Sequence, residues 1–250
     1  MKIGVQVSSL KPLLLTPEQV SDAFARMGAM GDGCVQIQWV DPAVPTEFVG
    51  EAVVKNNLES VGTQDFYVLV RENLEYYVNL NTQTKGKWLC VSRIPEEYKS
   101  REGLPLFVAE LRQLQKKLDP LGQKICFHPV SADFTAVPGM NAVRWLFDNM
   151  PELEICLDLY HLNKNCHDMP GFLRDYRGRV CMVHFKDGVG DALVPAGQGE
   201  TNWDGVVKAC LETGVGYGFV EQERWDRDPY DCLQEAIDWV AQEMQNERNG

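Results

Sequence analysis

The chain has 250 residues, 44% of them hydrophobic, enough for one large core and close to the usual size of a closed (β/α)8 barrel. Its 24 basic and 36 acidic side chains give a formal charge of −12, which speaks against a nucleic-acid partner, because phosphate binding depends on clustered Lys and Arg. No apolar run approaches the roughly 18 residues of a spanning helix, and the opening Met1 to Val7 is too short and too polar in its flanks for a signal peptide, so the expectation is a cytoplasmic protein with no membrane partner.

The opening residues read as a first strand. Thr16 as cap, Pro17 at the first helical position and Gln19 closing a capping box start a helix whose apolar face is Val20, Ala23, Phe24 and Met27. A second strand follows at Cys34 to Trp39, then a helix from Thr46 to Asn56 and a third strand at Glu59 to Phe66. A helix carrying Leu69, Leu74, Tyr77 and Leu80 leads to a fourth strand, Trp88 to Ile94. Phe107, Leu111, Leu114 and Leu118 fall on one face of the next helix, which Pro120 and Gly122 end.

Lys124 to His128 is strand five. Helices around Val143, Leu146 and Phe147, and around Phe172, Leu173 and Tyr176, lead to strand six at Ile155 and strand seven at Val180. Asn202 is the expected cap of a helix through Val206, Val207, Cys210 and Leu211, and Tyr217 to Glu221 is strand eight. A last helix, capped near Asp228 and Pro229, carries Leu233, Ala236, Ile237, Val240 and Met244. Eight strands alternating with helices, at roughly 31 residues per unit, predict an α/β fold, a (β/α)8 TIM barrel forming one domain over residues 1–250. A doubly wound sheet is the main alternative, and its Gly-x-Gly-x-x-Gly after the first strand is absent. The eight cysteines include no Cys-x-x-Cys pair and sit mostly in apolar runs, which predicts buried reduced thiols.

In such a barrel the chemistry lies at the C-terminal ends of the strands. The ionisable groups there are His128 and Asp133 after strand five, Asp158 and His161 at strand six, His184, Lys186 and Asp187 at strand seven, and Glu221 with Glu223 and Arg224 at strand eight. A carboxylate and an imidazole delivered by neighbouring strands can converge on one divalent ion without a local cluster of ligands. The plainer readings are a loop-capping Asp158, a satisfied core His184, a rim ion pair of Lys186 with Asp187, solvated Glu223, Arg224 and Asp226, and His167 on a surface loop. Lys186 pointing inward would neutralise a substrate oxyanion. Trp39, Phe66 and Trp225 lie near strand ends, where aromatic rings stack on sugar faces or simply pack.

The motifs "LDLYH" (157–161), "VHFKDG" (183–188), "GQGETNW" (197–203) and "GYGFVEQERW" (216–225), with the opening "KIGVQVSSL", resemble in order and spacing the xylose isomerase-like TIM-barrel family of sugar isomerases, sugar epimerases and inosose dehydratases. The resemblance implies one divalent metal ion, Mn, Mg, Co or Zn. By motif, Asp158, His184 and Glu221 match ligands, Glu221 matches an acid/base group as well, and His161 matches a substrate-contacting histidine. Strand five departs from the family: His128 and Pro129 stand where many epimerases have Glu-Pro, and Asp133 falls at the glutamate of a second branch. The expectation is therefore Asp133 as fourth ligand with His128 facing substrate, the alternative being His128 as ligand.

The resemblance implies a metal-dependent sugar isomerase or epimerase working through an enediolate, with Glu221, His128 and Lys186 as catalytic groups. His161, Lys186, Trp39 and Phe66 are the expected substrate contacts. Alternatives on the same site are an inosose-type dehydratase or a 3-keto C-glycoside lyase, and a non-catalytic sugar-binding barrel. The partner is a small sugar or polyol, and family habit implies a homo-oligomer.

Overall fold

A computed structural model of the chain describes residues 1–249. Seven strands run in order as β1 (Lys2–Gln6), β2 (Cys34–Ile37), β3 (Glu59–Phe66), β4 (Trp88–Ser92), β5 (Lys124–His128), β6 (Glu154–Asp158) and β7 (Val180–Phe185). A small antiparallel hairpin of β8 (Asp187–Val189) and β9 (Ala192–Val194) precedes the last strand, β10 (Tyr217–Val220). All but the hairpin are parallel and close into one eight-stranded barrel, with β10 pairing β1 so that Lys2 faces Tyr217 and Val5 faces Val220. This is the (β/α)8 barrel that the alternation of elements predicts.

Most strands are short, largely apolar runs bounded by turn residues, the pattern of a sheet buried on both faces, while β3 buries polar residues such as Thr63 and Gln64 as well. Helices cover the outside. In the helix Gly103–Leu118, Phe107, Leu111, Leu114 and Leu118 are buried along one face, and Phe107 meets Phe127 of β5 edge-on at 5.8 Å between ring centres. Burying each such side chain stabilises the fold by about 1.5–3 kcal/mol. The helix stops at Gly122, whose φ of +67° no β-carbon-bearing residue adopts cheaply.

The lower interior of the barrel is rich in thiols, with Cys34, Cys90, Cys126 and Cys156 packed among Trp88, Met182 and Phe219. All eight cysteines are free, and six are buried, in line with their reading as small hydrophobes. At Gly62 any side chain would collide with the backbone of Trp88 on the next strand, so this position keeps β3 and β4 in register. Among the described residues no helix is long and apolar enough to cross a membrane.

Two local expectations are corrected, and one element was not foreseen. The helix through Leu69 and Leu80 is two helices, Tyr67–Glu72 and Leu74–Thr84, because Asn73 leaves the helical region and bonds back through its side chain to the Leu69 carbonyl. Asn202 does not cap the helix that follows. Its Oδ1 closes a turn onto the Asp204 amide, and the helix Val206–Thr213 starts after Gly205, held at φ +68°. The hairpin escapes prediction because its three-residue arms are too short to show alternation.

Candidate metal centre

Strand register places the chemistry. Asp158 is the last residue of β6 and lies directly opposite His184 on β7. His128 ends β5, and Glu221 is the first residue beyond β10, where its amide bonds to the Phe185 carbonyl at 3.1 Å. One side-chain atom from each of His128, Asp158, His184 and Glu221 falls within 4.8 Å of the others, and all four residues are buried.

Five buried polar atoms at this point have no hydrogen-bond partner: both ring nitrogens of His128, Oδ2 of Asp158, Nδ1 of His184 and Oε2 of Glu221. Leaving such atoms unpaired costs about 1–3 kcal/mol each, more for charged ones, unless something binds them. His184 indicates what kind of group would fit. Its Nε2 lies 2.6 Å from Gln36 Oε1, an acceptor, so the ring proton sits there and Nδ1 turns a lone pair inward, as in metal-ligating histidines oriented by a second hydrogen bond. Nδ1 is only 2.6 Å from Glu221 Oε2, yet the two are not aligned as a hydrogen bond. With the ring proton on Nε2, a cation between these two atoms satisfies both. Neutral imidazoles and ionised carboxylates, converging without partners, fit a divalent ion.

Electrostatics bear on His128 and on the two carboxylates. Burial and the neighbouring His184 push His128 down to about 3, so it is neutral. Burial alone would push Glu221 up, but the Lys186 ammonium leads the groups that outweigh it and hold its carboxyl well below the usual range. Asp158 is likewise ionised: burial raises it, and His161 and Lys186 bring it down.

Asp133 does not join this group. It is buried in a single helical turn, Ser131–Phe134, and its Oδ1 accepts from the Ile94 amide at 3.0 Å while Oδ2 accepts from the Val130 amide at 2.9 Å. Both oxygens are spent on tying the loop after β5 to the loop after β4. This corrects the expectation of Asp133 as fourth ligand, and the strand-five group that faces the centre is His128.

His161 lies beside the centre, with Nε2 at 3.7 Å from Asp158 Oδ2 and Nδ1 at 3.0 Å from Ser131 Oγ. Asp158 also caps the short helix that carries His161, accepting its amide through Oδ1 at 3.0 Å, so the loop-capping reading holds for one of its oxygens and not the other.

Lys186 points inward, 3.1 Å from Glu221 Oε1 and 2.5 Å from Glu223 Oε2. It makes no rim pair with Asp187, which instead accepts from the amides of Gly188, Gly197, Gly199 and Thr201 and from the Trp203 indole at 2.9–3.1 Å, and so organises the segment from the hairpin to Trp203. Trp39 and Phe66 are half-buried and meet edge-on at 6.2 Å, at the ends of β2 and β3.

Two features were missed by the sequence reading. Glu223, read as solvated, sits over Lys186, and burial together with Glu221 pushes it up to about 7. Its spacing of two from Glu221 in extended chain was the available signal. The other is a buried amide chain, Gln6 to Gln36 to Gln64 to Gln38, linked at 3.0–3.2 Å and ending on His184 through Gln36. Glutamines repeating inside apolar strands could have revealed it.

Asp133 gives a pH prediction. Burial raises it to about 6 against the hydrogen bonds of Val130 and Ile94, from an ordinary 3.8. The folded state then holds the proton more tightly than the unfolded one, so this group's contribution to stability is fully present below about pH 4 and is lost as pH rises through about 6. The stability difference between the wild type and Asp133→Asn, measured by urea denaturation, should widen as pH falls from 7 to 4. A constant or narrowing difference would contradict this.

The family model of the xylose isomerase-like TIM barrel matches residues 76–243. No curated protein matches the sequence. Solved structures similar to the chain include an L-ribulose 3-epimerase (12% identity, 99% of this chain and 96% of that one, TM-score 0.79). A sugar phosphate isomerase/epimerase from Parabacteroides distasonis is similar over 96% of this chain and 97% of its own, at 14% identity and TM-score 0.78. A probable 3-DHS dehydratase from Bacillus anthracis is similar over 96% and 99%, at 14% identity and TM-score 0.71. At these identities the likeness shows the shared fold.

Proposed function

Because the chain belongs to the xylose isomerase-like TIM barrel family, we propose that it is a divalent-metal-dependent sugar isomerase or epimerase whose ion is held by His128, Asp158, His184 and Glu221. The observation that carries this reading is the convergence of four residues from four strand ends, each with a buried atom lacking a partner, so that one ligand atom from each lies within 4.8 Å of the others. A divalent cation there would polarise the carbonyl of a ketose and acidify the neighbouring C–H.

The chain's own groups supply the rest. Glu221 is the proposed proton acceptor. Lys186, whose charge Glu221, Asp158 and Glu223 maintain against the pull of burial, stands ready to neutralise the oxyanion of an enediolate. His161, a fifth exposed at its side chain and held by Ser131, is placed to bond a substrate hydroxyl, and neutral His128 lines the same space as a ligand. Returning the proton to the adjacent carbon gives isomerisation, and returning it to the opposite face gives epimerisation.

The test is a screen of ketoses, inososes and 3-keto glycosides with Mn2+-supplemented protein in D2O, following deuterium uptake and product by mass spectrometry. The proposal expects uptake into at least one ketose with retention of its formula. Loss of water from the product would replace isomerisation by dehydration, and no uptake into any candidate despite bound metal would favour a binding protein.

A further inference from the structure

A cavity of about 240 Å3 lies between the ends of β2 and β3 and the helix Leu74–Thr84. Its walls include Trp39, Tyr76, Tyr77 and Leu80. Leu15 and Leu69, two of the few large apolar side chains that stand exposed, at 50% and 38%, also border it. Such side chains usually turn inward, and finding both at one cavity marks an apolar mouth.

Trp39 is held there at a price in backbone strain. Its φ is +59°, a region bulky residues rarely enter, and such strain tends to persist where a side chain must be aimed. Lys11 Nζ lies 4.5 Å from the centre of its ring.

The cavity is not wholly apolar. Thr63 borders it from β3 with its hydroxyl oxygen fully buried. Gln38 and Gln64 also line it, and Gln64 leads to the metal centre: its Oε1 accepts from Gln36, whose own Oε1 accepts from His184. Gln64 Oε1 is also 3.9 Å from Cys156 Sγ, which is 3.3 Å from His184 Nε2. The cavity and the centre therefore share a wall.

An apolar cavity of about 150 Å3 suffices for benzene, so this one has room for a substituted ring. Asp41 and Asp65 also border it, but Asp65 already accepts from the Tyr77 hydroxyl and the Phe66 amide, and Asp41 from the Ala43 amide, so most of the exposed wall is apolar carbon, against which a polyol would lose the hydration of several hydroxyls. We propose that this cavity is a second subsite that takes an aromatic ring carried by the sugar, which makes the substrate class an aryl-substituted sugar. The sugar half of this inference rests on the metal-site reading above. The ring lies among Trp39, Tyr76 and Tyr77.

Calorimetric titration of the whole chain, with and without Mn2+, would use phenyl and methyl β-D-glycosides of glucose, galactose and xylose, and phenol as the ring alone. At least one phenyl glycoside should bind about 10-fold or more tightly than its methyl counterpart, the scale of burying a ring. Leu69→Trp, a substitution at an exposed position that fills the mouth, should remove that preference while leaving the Mn2+ isotherm and melting temperature unchanged. Leu15→Trp gives the same test from the other side should the first variant fold poorly.

Equal affinities within all three pairs, or a phenyl preference that survives both variants, would overturn the subsite. Phenol binding as tightly as every phenyl glycoside would overturn its link to a sugar. The two readings fail separately: Mn2+ binding without a ring preference leaves the metal site and removes the subsite. A ring preference lost in Leu69→Trp, without any Mn2+ isotherm, upholds the subsite and removes the metal site.

Discussion

Glu221→Gln should lower solvent-deuterium exchange into an accepted sugar by about 10²-fold or more, the usual scale for losing a general base, and should weaken metal binding with it. The second effect follows from the two ends of this carboxylate. Oε1 accepts from the Lys186 ammonium at 3.1 Å, and Oε2 is the unpartnered oxygen beside His184 Nδ1. Both positions need an acceptor, and an amide has only one oxygen. Whichever way it turns, its NH2 faces either a cation or the ion-binding point. Exchange by mass spectrometry on protein whose metal content is measured in parallel reads both effects, and undiminished exchange in a metal-loaded variant would move the base elsewhere, to Glu223.

His128→Ala should cost at least about 10²-fold in Mn2+ affinity, whereas Asp133→Asn should leave the affinity within about threefold, on the scale that separates a direct ligand from a loop anchor. Both ring nitrogens of His128 are buried without partners, and its Nε2 is 3.9 Å from Asp158 Oδ2, a separation two groups around one ion can have. Asp133 has no free oxygen to offer while it holds the Ile94 and Val130 amides. Calorimetry on the two variants side by side checks this. Loss of the ion in Asp133→Asn with retention in His128→Ala would restore the ligand set that the sequence motif alone suggests.

The barrel was legible because strands buried on both faces are mostly apolar runs, and in this chain most of them end in polar or ionisable residues where the barrel opens. Asp158 and His184 could be read for the same reason. Charged or polar residues closing such runs must face either a partner or a function, and their strands are neighbours. Strand five failed on a point of periodicity. Alternation along Cys126, Phe127 and His128 sends the first and third to the interior, where Cys126 joins the thiol cluster, and the outward Phe127 packs against helix aromatics. That signal favoured His128, but a motif match placed the ligand five residues on, in a loop with no period to check it.

Asp133 also lies at the third position of a helical turn, where an acidic side chain commonly reaches back to its own first amide. Lys186 and Asp187 illustrate the same alternation at the rim, one turning into the site and the next out to five donors in the following loop. What no local pattern could supply was the pairing of Gln36 with His184, separated by 148 residues and joined only when the barrel closes.

The central claim, one divalent ion on His128, Asp158, His184 and Glu221, is tested most directly by titrating Mn2+ into chelator-treated protein and following heat and melting temperature together. The account predicts one ion bound per chain and a melting temperature that rises with ion concentration, since an ion that binds only the folded site stabilises it by mass action. No bound ion with Mn2+, Mg2+, Co2+ or Zn2+, and no change in melting temperature with any of them, would contradict it.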